Sequence, residues 1–426
     1  MADYYVSSAA WAAIAQFAAS GVYTVGNIVR PLTAPAQGHE YAFRCTTAGT
    51  ASTEPVWPAA NNATITTGGA TFTNVSGQAA YGWSAAAGTL WAIAVANSSR
   101  PAVGDRVFLS SDHSESITVA GISTLTYAFT AAAWGSIQII SVNRAGSVPP
   151  VAADALSGAA LIANFTGSAN SYILEAFCNL YWQGITFQVA GTPSGGASFT
   201  FNASGTKAHY LRNCAIVLGV STVASKIYAG QTARVTLDNT TVQFSNVGSF
   251  IGTAGGFMWD LRWINTPSAV LGTVPTTLFS TAAGALLATC QGVDLSAVTG
   301  TLVTGAVSTA TMAKYLFDSC RIAPGVVRFS TPGTASPAVE EAELVNCFDG
   351  TNIISERHTA AGDVTTDQST TMTGGAQDDV GLFSVKLVSS VRCDPWAMTL
   401  DSFWMDVENT TIGSARTATV EIISSA

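Results

Sequence analysis

The fold is decided by a short phrase whose fullest copy is Tyr210-Leu211-Arg212-Asn213-Cys214-Ala215-Ile216. The phrase places an apolar pair before one or two polar residues and a small residue, and a second apolar pair follows. Related copies recur between Asn179 and Asn346, and they begin at Leu180, Val235, Leu286, Tyr315 and Glu343, with a looser copy at Trp259. Consecutive copies lie roughly 24 to 31 residues apart, a period typical of solenoids in which each repeat forms one coil.

The segments between the copies favour strands over helices. They are rich in Gly, Thr, Ser, Asn and β-branched residues with frequent turn signals, whereas helical repeats need amphipathic segments of about ten residues or more. Each coil is expected to lay its strand on the equivalent strand of the next coil, with like side chains stacked inside. We interpret four small residues, Cys214, Cys290, Cys320 and Cys347, as one inward column. The sequence predicts an all-β protein built on a right-handed parallel β-helix, or solenoid.

Composition restricts the class of protein. Of the 426 residues, 48% are hydrophobic and only 10% are charged, and the formal net charge is −9. A soluble domain usually carries about a quarter charged residues, so we expect extensive burial between subunits. The Lys and Arg residues are scattered singly, and the acidic balance argues against a nucleic-acid partner.

Targeting and redox signals are missing from the sequence. There is no run of about eighteen apolar residues, so membrane insertion is not predicted. Residues 1 to 5 lack the cationic and apolar parts of a secretory signal. The seven cysteines have neither disulfide-framework nor C-x-x-C spacing, which favours buried thiols in a reducing cytoplasm.

Residues 1 to 78 are predicted to form a separate small β-module, with one short helix around Trp11 to Phe17. The order Trp11, Tyr23-x-x-Gly26-Asn27-x-Val29, Tyr41-x-x-x-Cys45 and Pro55-x-Trp57 resembles the small carbohydrate-binding modules of chitinases, and a similar pattern opens many phage tail and fibre proteins. The resemblance implies that Tyr41 and Trp57 stack against a sugar ring, since an aromatic face offers apolar contact to a pyranose. The alternative is that both rings belong to the core of the module.

Residues 79 to 356 are assigned to the β-helix. The segment Pro101-x-x-Gly104-Asp105-x-Val107 resembles the first coil of β-helical phage proteins and polysaccharide-processing β-helices, which places the start of the solenoid near residue 101. Residues 357 to 426 are predicted to form a linker arm followed by a C-terminal β-sandwich, because three late segments alternate in polarity. The final strand then leaves an edge that a neighbouring chain would cover in a threefold assembly.

Candidate catalytic groups are few. Asp112 and His113 are adjacent, and neighbouring positions on a strand point to opposite faces, which argues against a dyad. A glycosidase needs two carboxylates roughly 5 to 10 Å apart, and stacking of coils would permit the pairs Asp238 with Asp260 and Asp294 with Asp318. Turn formation explains these acids better. The sequence therefore predicts no catalytic residue, no metal site and no cofactor.

The resemblance to tailed-bacteriophage virion proteins of the tail-spike and fibre type implies a structural protein of the phage particle. It is expected to be a homotrimer located in the virion, in contact with other virion proteins and with a host-surface glycan. One alternative is a capsid decoration or head-fibre protein without a receptor role. Another is a polysaccharide depolymerase acting through carboxylates on the coils.

Overall fold

A computed structural model describes most of the first 366 residues. The described ranges are 2–36, 38–96, 101–117, 124–129, 136–164, 171–176, 178–190, 198–203, 207–229, 233–252, 258–280, 285–305, 312–330, 339–359 and 364–366. The chain divides into two compact units, Met1–Val364 and Thr365–Ala426. The predicted C-terminal β-sandwich lies outside the described residues.

The first unit is an all-β structure dominated by a parallel β-solenoid, as the repeated phrase predicts. The coils up to the strand Val270–Gly272 visit three parallel sheets in turn, here named sheets 1, 2 and 3, and the described strands of the later coils lie in sheets 1 and 3. The strands of sheet 1 are Asp3–Val6, Arg106–Ser110, Ser136–Val142, Asn179–Gln183, Ala208–Arg212, Ala233–Asp238, Met258–Ile264, Ala285–Gln291, Met312–Asp318, Val339–Phe348 and, antiparallel at the end, Ile353–Thr359. Those of sheet 2 are Ser114–Ile117, Ala160–Asn164, Ile185–Val189, Ala215–Leu218, Thr241–Phe244 and Val270–Gly272. Those of sheet 3 are Thr124–Phe129, Ser171–Ala176, Ser198–Ala203, Lys226–Ala229, Phe250–Gly252, Thr277–Ser280, Thr301–Thr304 and Val327–Ser330.

The N-terminal residues form a small β-structure that is tied to the solenoid. Its four-stranded sheet has the order Ile28–Val29, Phe43–Thr47, Ala70–Asn74, Thr64–Thr67, and a separate pair joins Val22–Tyr23 to Gly49–Thr50. The helices of the described chain are Ser8–Ala13, the 3-10 segments Ala79–Ala85 and Ala152–Asp154, and the π-helical turn Ala92–Ala96. None of the described helices is long and apolar enough to cross a membrane.

The two predicted domain boundaries fall within continuous structure. The strand Asp3–Val6 pairs in parallel with Arg106–Ser110 of the first coil, so the beginning of the chain belongs to sheet 1. Arg106 donates two hydrogen bonds to the Asp3 carboxylate, at 2.8 and 2.9 Å. At the other end, the strand Ile353–Thr359 crosses the predicted boundary at residue 357, and a short strand, Val364–Thr366, follows it.

The repeated phrase is the corner between sheet 1 and sheet 2. At the corner one residue of each coil takes a left-handed backbone conformation, in which Gly and Asn are favoured. These corner residues are Gly184, Asn213, Asn239, Asn265, Gly292, Ser319 and Asn346, with φ between 45° and 68°. Six of these seven corner N–H groups donate to a carbonyl of the next coil, as from Asn239 to Ile264 at 3.0 Å and from Ser319 to Val345 at 2.8 Å, and the Asn346 N–H donates to the Ser355 hydroxyl at 3.1 Å. The hydrogen-bonded stack therefore continues through the bend.

The residue after the corner points inward; it is Cys or Thr in five coils and is Ile185 or Val293 in the other two. Cys214, Thr240, Cys320 and Cys347 hold this place in their coils, and each donates a hydrogen bond to a carbonyl of an adjacent coil, as from Thr240 to Leu211 at 3.1 Å. The prediction that Cys290 shares their column is wrong, because Cys290 lies level with Phe317, three residues earlier in the repeat. Cys and Thr suit this column because their short side chains can donate hydrogen bonds to these carbonyls.

Ser319 adopts the left-handed corner conformation although it is not glycine. Its replacement therefore tests how much this conformation costs. A left-handed backbone conformation costs a non-glycine residue about 1–2 kcal/mol. Glycine avoids this cost, but it lowers stability by about 0.4–1 kcal/mol because it increases the conformational entropy of the unfolded chain. We expect Ser319→Gly to raise the free energy of unfolding by about 0.5 kcal/mol and Ser319→Val to lower it by about 1–2 kcal/mol. Ser280→Gly, in an ordinary strand, is the control and should lower it by about 0.5–1 kcal/mol. Urea midpoints at unchanged slope measure all three, and destabilisation by Ser319→Gly would contradict this reading of the corner.

The interior of the coils and the aromatic residues of the N-terminal region form one continuous core. Alternate residues of each strand point into it, as the period of two requires. Its largest fully buried side chains include Trp182, Trp259, Trp263, Tyr172 and Tyr315. Packing of these rings across neighbouring coils gives the solenoid its stability, since burying one large aromatic side chain contributes about 2–3 kcal/mol.

Candidate functional site

Of the two predicted sugar-stacking residues, only Trp57 has an exposed surface. Tyr41 is 1% exposed, and its ring lies edge-on to Phe43 in the core, 6.5 Å between centroids. Trp57 is half-buried, with its ring 4.3 Å from that of Phe43. Its indole N–H donates to Glu54 at 3.1 Å, so the ring is held in one orientation. Sugar stacking at Trp57 stays a prediction, and Tyr41 has no face to offer unless the core opens.

A cleft of about 270 Å³ opens near the helix Ser8–Ala13. It is lined by Trp11, Gln16, Arg30, Leu32, Ala34, Pro35 and Glu40. The Arg30 guanidinium lies over the Trp11 ring, 4.9 Å from its centroid, and covers the aromatic face that a sugar would use. Burial raises the pKa of Glu40 above its usual value, while Thr89 donates to its carboxylate at 2.7 Å. The cleft therefore offers little aromatic surface to a ligand.

Asp112 and His113 point in different directions, as their adjacency predicts. Asp112 lies in a turn, where Arg144 and Ser110 donate to it at 2.6 Å each. His113 is 2% exposed; its Nδ1 accepts the Ser8 N–H at 3.1 Å, so its Nε2 carries the hydrogen and donates to Glu115 at 3.2 Å. Glu115 also accepts the backbone N–H of Leu90 at 2.6 Å. This buried network joins the N-terminal region to the first coil, and its histidine is enclosed away from any substrate.

The two carboxylate pairs considered for hydrolysis are not stacked. In the register of sheet 1, Asp260 lies level with Arg234, four residues before Asp238. Asp318 lies level with Gln291, whereas Asp294 bridges to Arg321 beyond the corner. For Asp238 and Asp260, the offset of four residues along a strand spans about 13 Å, which exceeds the separation of either class of glycosidase carboxylates. The expectation that these acids occupy stacked positions is wrong, because equivalent letters of the phrase do not share a register.

A patch of aromatic and charged residues lies on the outer face of sheet 1. Tyr181 and Tyr210 occupy level positions on adjacent coils, 29 residues apart in sequence, and their half-buried rings stack with centroids 5.5 Å apart and planes inclined by 14°. Arg212 and Asp238 are the next outward residues and are level with each other. We call these four residues the tyrosine patch. Outward alternation along the strands places all four side chains on one surface.

Hydrogen bonds order the tyrosine patch. The Tyr210 hydroxyl donates to Asp238 Oδ2 at 2.7 Å, and Asn265 donates to Oδ1 at 3.2 Å. Burial, reinforced by the Asp238 hydrogen bond, raises the pKa of Tyr210 to about 12, so this phenol remains protonated near neutral pH. Tyr181 donates to Gln183 at 2.9 Å. The result is a pair of rings stacked against each other and bordered by fixed carboxylate, amide and guanidinium groups.

This arrangement is suited to binding rather than to chemistry. An aromatic platform accepts the C–H face of a sugar, and the charged groups at its edge can hydrogen-bond to hydroxyls. Sequence reasoning missed the patch, although Tyr181 and Tyr210 occupy the same position in consecutive copies of the phrase, which is the available signal. Among the residues that the structure describes, no group of three or more His, Cys, Asp or Glu is placed to hold a metal ion. No protein-family model matches the chain, and neither a curated protein nor a solved structure matches it.

Proposed function

We propose that the chain is a structural protein of a bacteriophage particle, a homotrimeric tail spike or fibre that attaches the particle to a glycan of the host surface. The observation that carries the proposal is the parallel β-solenoid with an ordered tyrosine patch on its outer face. A stack of hydrogen-bonded coils is a stiff support, and a rigid element presents a binding surface in a fixed geometry.

The outer face of sheet 2 supports assembly with further copies. The described outward side chains of sheet 2 are uncharged in the central coils, and they include Thr186, Gln188, Ala215, Val217, Thr241 and Gln243. Depletion of charge is typical of the buried centre of an interface. In the proposed homotrimer these faces meet, while sheet 1 stays open to the glycan.

Two measurements test this assignment. Light scattering of the purified protein is expected to give three times the mass of the chain, 43.7 kDa. Gold-labelled antibodies on intact particles are expected to mark the tail, and labelling of the head would replace the attachment role by a decoration role. Release of oligosaccharides from host polysaccharide would instead establish a depolymerase, and we expect none.

Removing the aromatic platform should weaken glycan binding. We expect Tyr210→Ala to raise the Kd for the host glycan roughly three- to tenfold, because a stacked aromatic contact contributes about 0.5–1.5 kcal/mol. Calorimetry with purified surface polysaccharide measures it, and Tyr210→Phe separates the ring from the hydrogen bond to Asp238. The control is Tyr228→Ala, which removes a half-exposed tyrosine from the outer face of sheet 3. Equal loss in both alanine variants would remove the tyrosine patch from the proposal.

A further inference from the structure

Three arginines around the tyrosine patch are held only loosely by their acidic neighbours. Arg212 approaches Asp238 at 3.8 Å, and Arg234 and Arg262 approach Asp260 at 3.9 and 4.0 Å. Their side chains are 54%, 65% and 65% exposed. These separations exceed hydrogen-bonding distance, and an exposed pair of this kind contributes at most about 1 kcal/mol. Apart from a hydrogen bond between Arg212 and Tyr181, the guanidinium donors of these three residues are therefore available to a ligand.

Other cations of the chain are engaged more closely. Arg106 binds Asp3 through two hydrogen bonds, Arg144 donates to Asp112 at 2.6 Å, and Arg328 donates to Glu356 at 2.8 Å. On sheet 1 itself, Lys314 lies 2.9 Å from Glu341. Loose pairing is thus a property of the three arginines near the two tyrosines, shared with Arg321 beyond the corner, and not of every outward cation on this sheet.

The register places Arg212 and Arg262 along a path that passes Tyr210, whereas Arg234 lies to one side of it, level with Ala208 and Asp260. Arg212 is level with Asp238, and Arg262 is level with Tyr210 two coils away, through Thr236. Adjacent strands lie about 4.8 Å apart, so the path crosses roughly 10 Å of the outer face between Tyr210 and Arg262. A linear ligand stacked on the tyrosines would pass beside the arginines on its way along the solenoid.

The two aspartates near these arginines do not neutralise all of their positive charge. Asp238 is occupied by the Tyr210 hydroxyl and by Asn265. Asp260 sits between Arg234 and Arg262, and its Oδ1 makes no hydrogen bond with the described residues, so it attracts two guanidinium groups without consuming their donors. Three arginines against two aspartates make this local surface cationic in a chain whose formal charge is −9.

We propose that the glycan bound at the tyrosine patch is acidic, and that Arg212, Arg234 and Arg262 bind its carboxylate or phosphate groups. This inference rests on the proposed attachment function and names the ligand class of the same site. The planar fork of donors on arginine matches both anions and makes charge-assisted hydrogen bonds with them. The tyrosines would select for a sugar ring and the arginines for its charge.

The test uses immobilised surface polysaccharides from a panel of bacteria, each in its native form, after chemical reduction of its carboxylates and after dephosphorylation. Wild-type protein is expected to bind native polymers and to lose about tenfold or more in affinity when the anionic group is removed. Binding should also weaken between about 0.1 M and about 0.5 M NaCl. The two chemical treatments distinguish carboxylate from phosphate.

The triple variant Arg212→Gln, Arg234→Gln, Arg262→Gln is expected to lose at least about tenfold in affinity for native polymers. Its matched control is Arg321→Gln, since Arg321 is 60% exposed and 3.9 Å from Asp294 but lies beyond the corner. Binding that survives both chemical treatments, or that is unchanged in the triple variant, would overturn the acidic assignment and leave glycan attachment standing. If no polysaccharide binds in any form, the proposed attachment function falls, and this inference falls with it.

Discussion

Replacing Trp263 by alanine is expected to lower the free energy of unfolding by about 3–5 kcal/mol. Its side chain is fully buried between the level residues Leu237 and Cys290 of the adjacent coils. Its indole N–H donates to the Thr240 carbonyl at 2.8 Å. The substitution therefore opens a cavity and also leaves a buried carbonyl with one donor fewer.

Urea unfolding followed by far-ultraviolet circular dichroism measures this effect. The control is Trp263→Phe, which keeps an aromatic ring but removes the donor, and it should cost less than the alanine variant. A loss below about 1 kcal/mol for Trp263→Ala would mean that neighbouring coils collapse into the space, contrary to the stiffness expected of stacked strands.

The second large effect is a loss of stability at acidic pH. His209 is fully buried; its Nε2 donates to the Asn202 carbonyl at 2.9 Å, and its Nδ1 has no partner among the described residues. Burial lowers the pKa of His209 to about 4. The unfolded histidine titrates near 6.5, so the unfolded chain binds more protons between these values. Stability is fully present above pH 6.5 and is lost as pH falls towards 4, by about 3 kcal/mol in total.

Thermal midpoints measured from pH 7 to pH 4 check this expectation. His209→Leu should flatten the dependence in this window, whatever its own stability, because the titrating group is gone. His39→Gln removes an exposed histidine and should leave the slope unchanged. A slope identical in wild type and His209→Leu would show that other groups, such as paired carboxylates, account for the acid sensitivity.

The solenoid could be predicted because its corner imposes a local requirement. Asn213, Asn239 and Asn265 stand where the backbone is left-handed, and few residue types tolerate that conformation. Cys and Thr recur at the following position because a small side chain there can donate to a carbonyl of an adjacent coil, although Ile185 and Val293 also occupy it. A requirement repeated in every coil leaves a visible period in the sequence.

The strand register between coils could not be predicted from the phrase, because similar residues occupy different structural positions in different copies. Cys290 resembles the corner cysteines but lies three residues ahead of them, and Val293 takes the inward place after the corner. Asp238 and Asp260 stand in similar phrases but are offset by four residues. Apolar and polar letters repeat every second residue along a strand, so alternation alone permits several alignments.

The tyrosine patch was missed for a different reason. Tyr41 and Trp57 were predicted to bind sugar because they occur in a motif that resembles sugar-binding modules, yet Tyr41 lies in the core. Tyr181 and Tyr210 lie within the repeated phrase, where an aromatic residue looks like part of the interior. Their shared position in consecutive copies indicates that they are level with each other, and the burial pattern of the two strands shows that they face outward.

The first strand of sheet 1 has a consequence for synthesis. From the strand Asn179–Gln183 onward, strand partners in sheet 1 are less than thirty residues apart, as between Tyr181 and Tyr210, whereas the partner of Asp3 is Arg106, 103 residues later. At about 5–20 residues per second, the ribosome delivers that partner roughly 5–20 s after the strand itself. During this interval the strand Asp3–Val6 lacks its partner from the first coil, and its exposed edge is a surface to which a chaperone can bind.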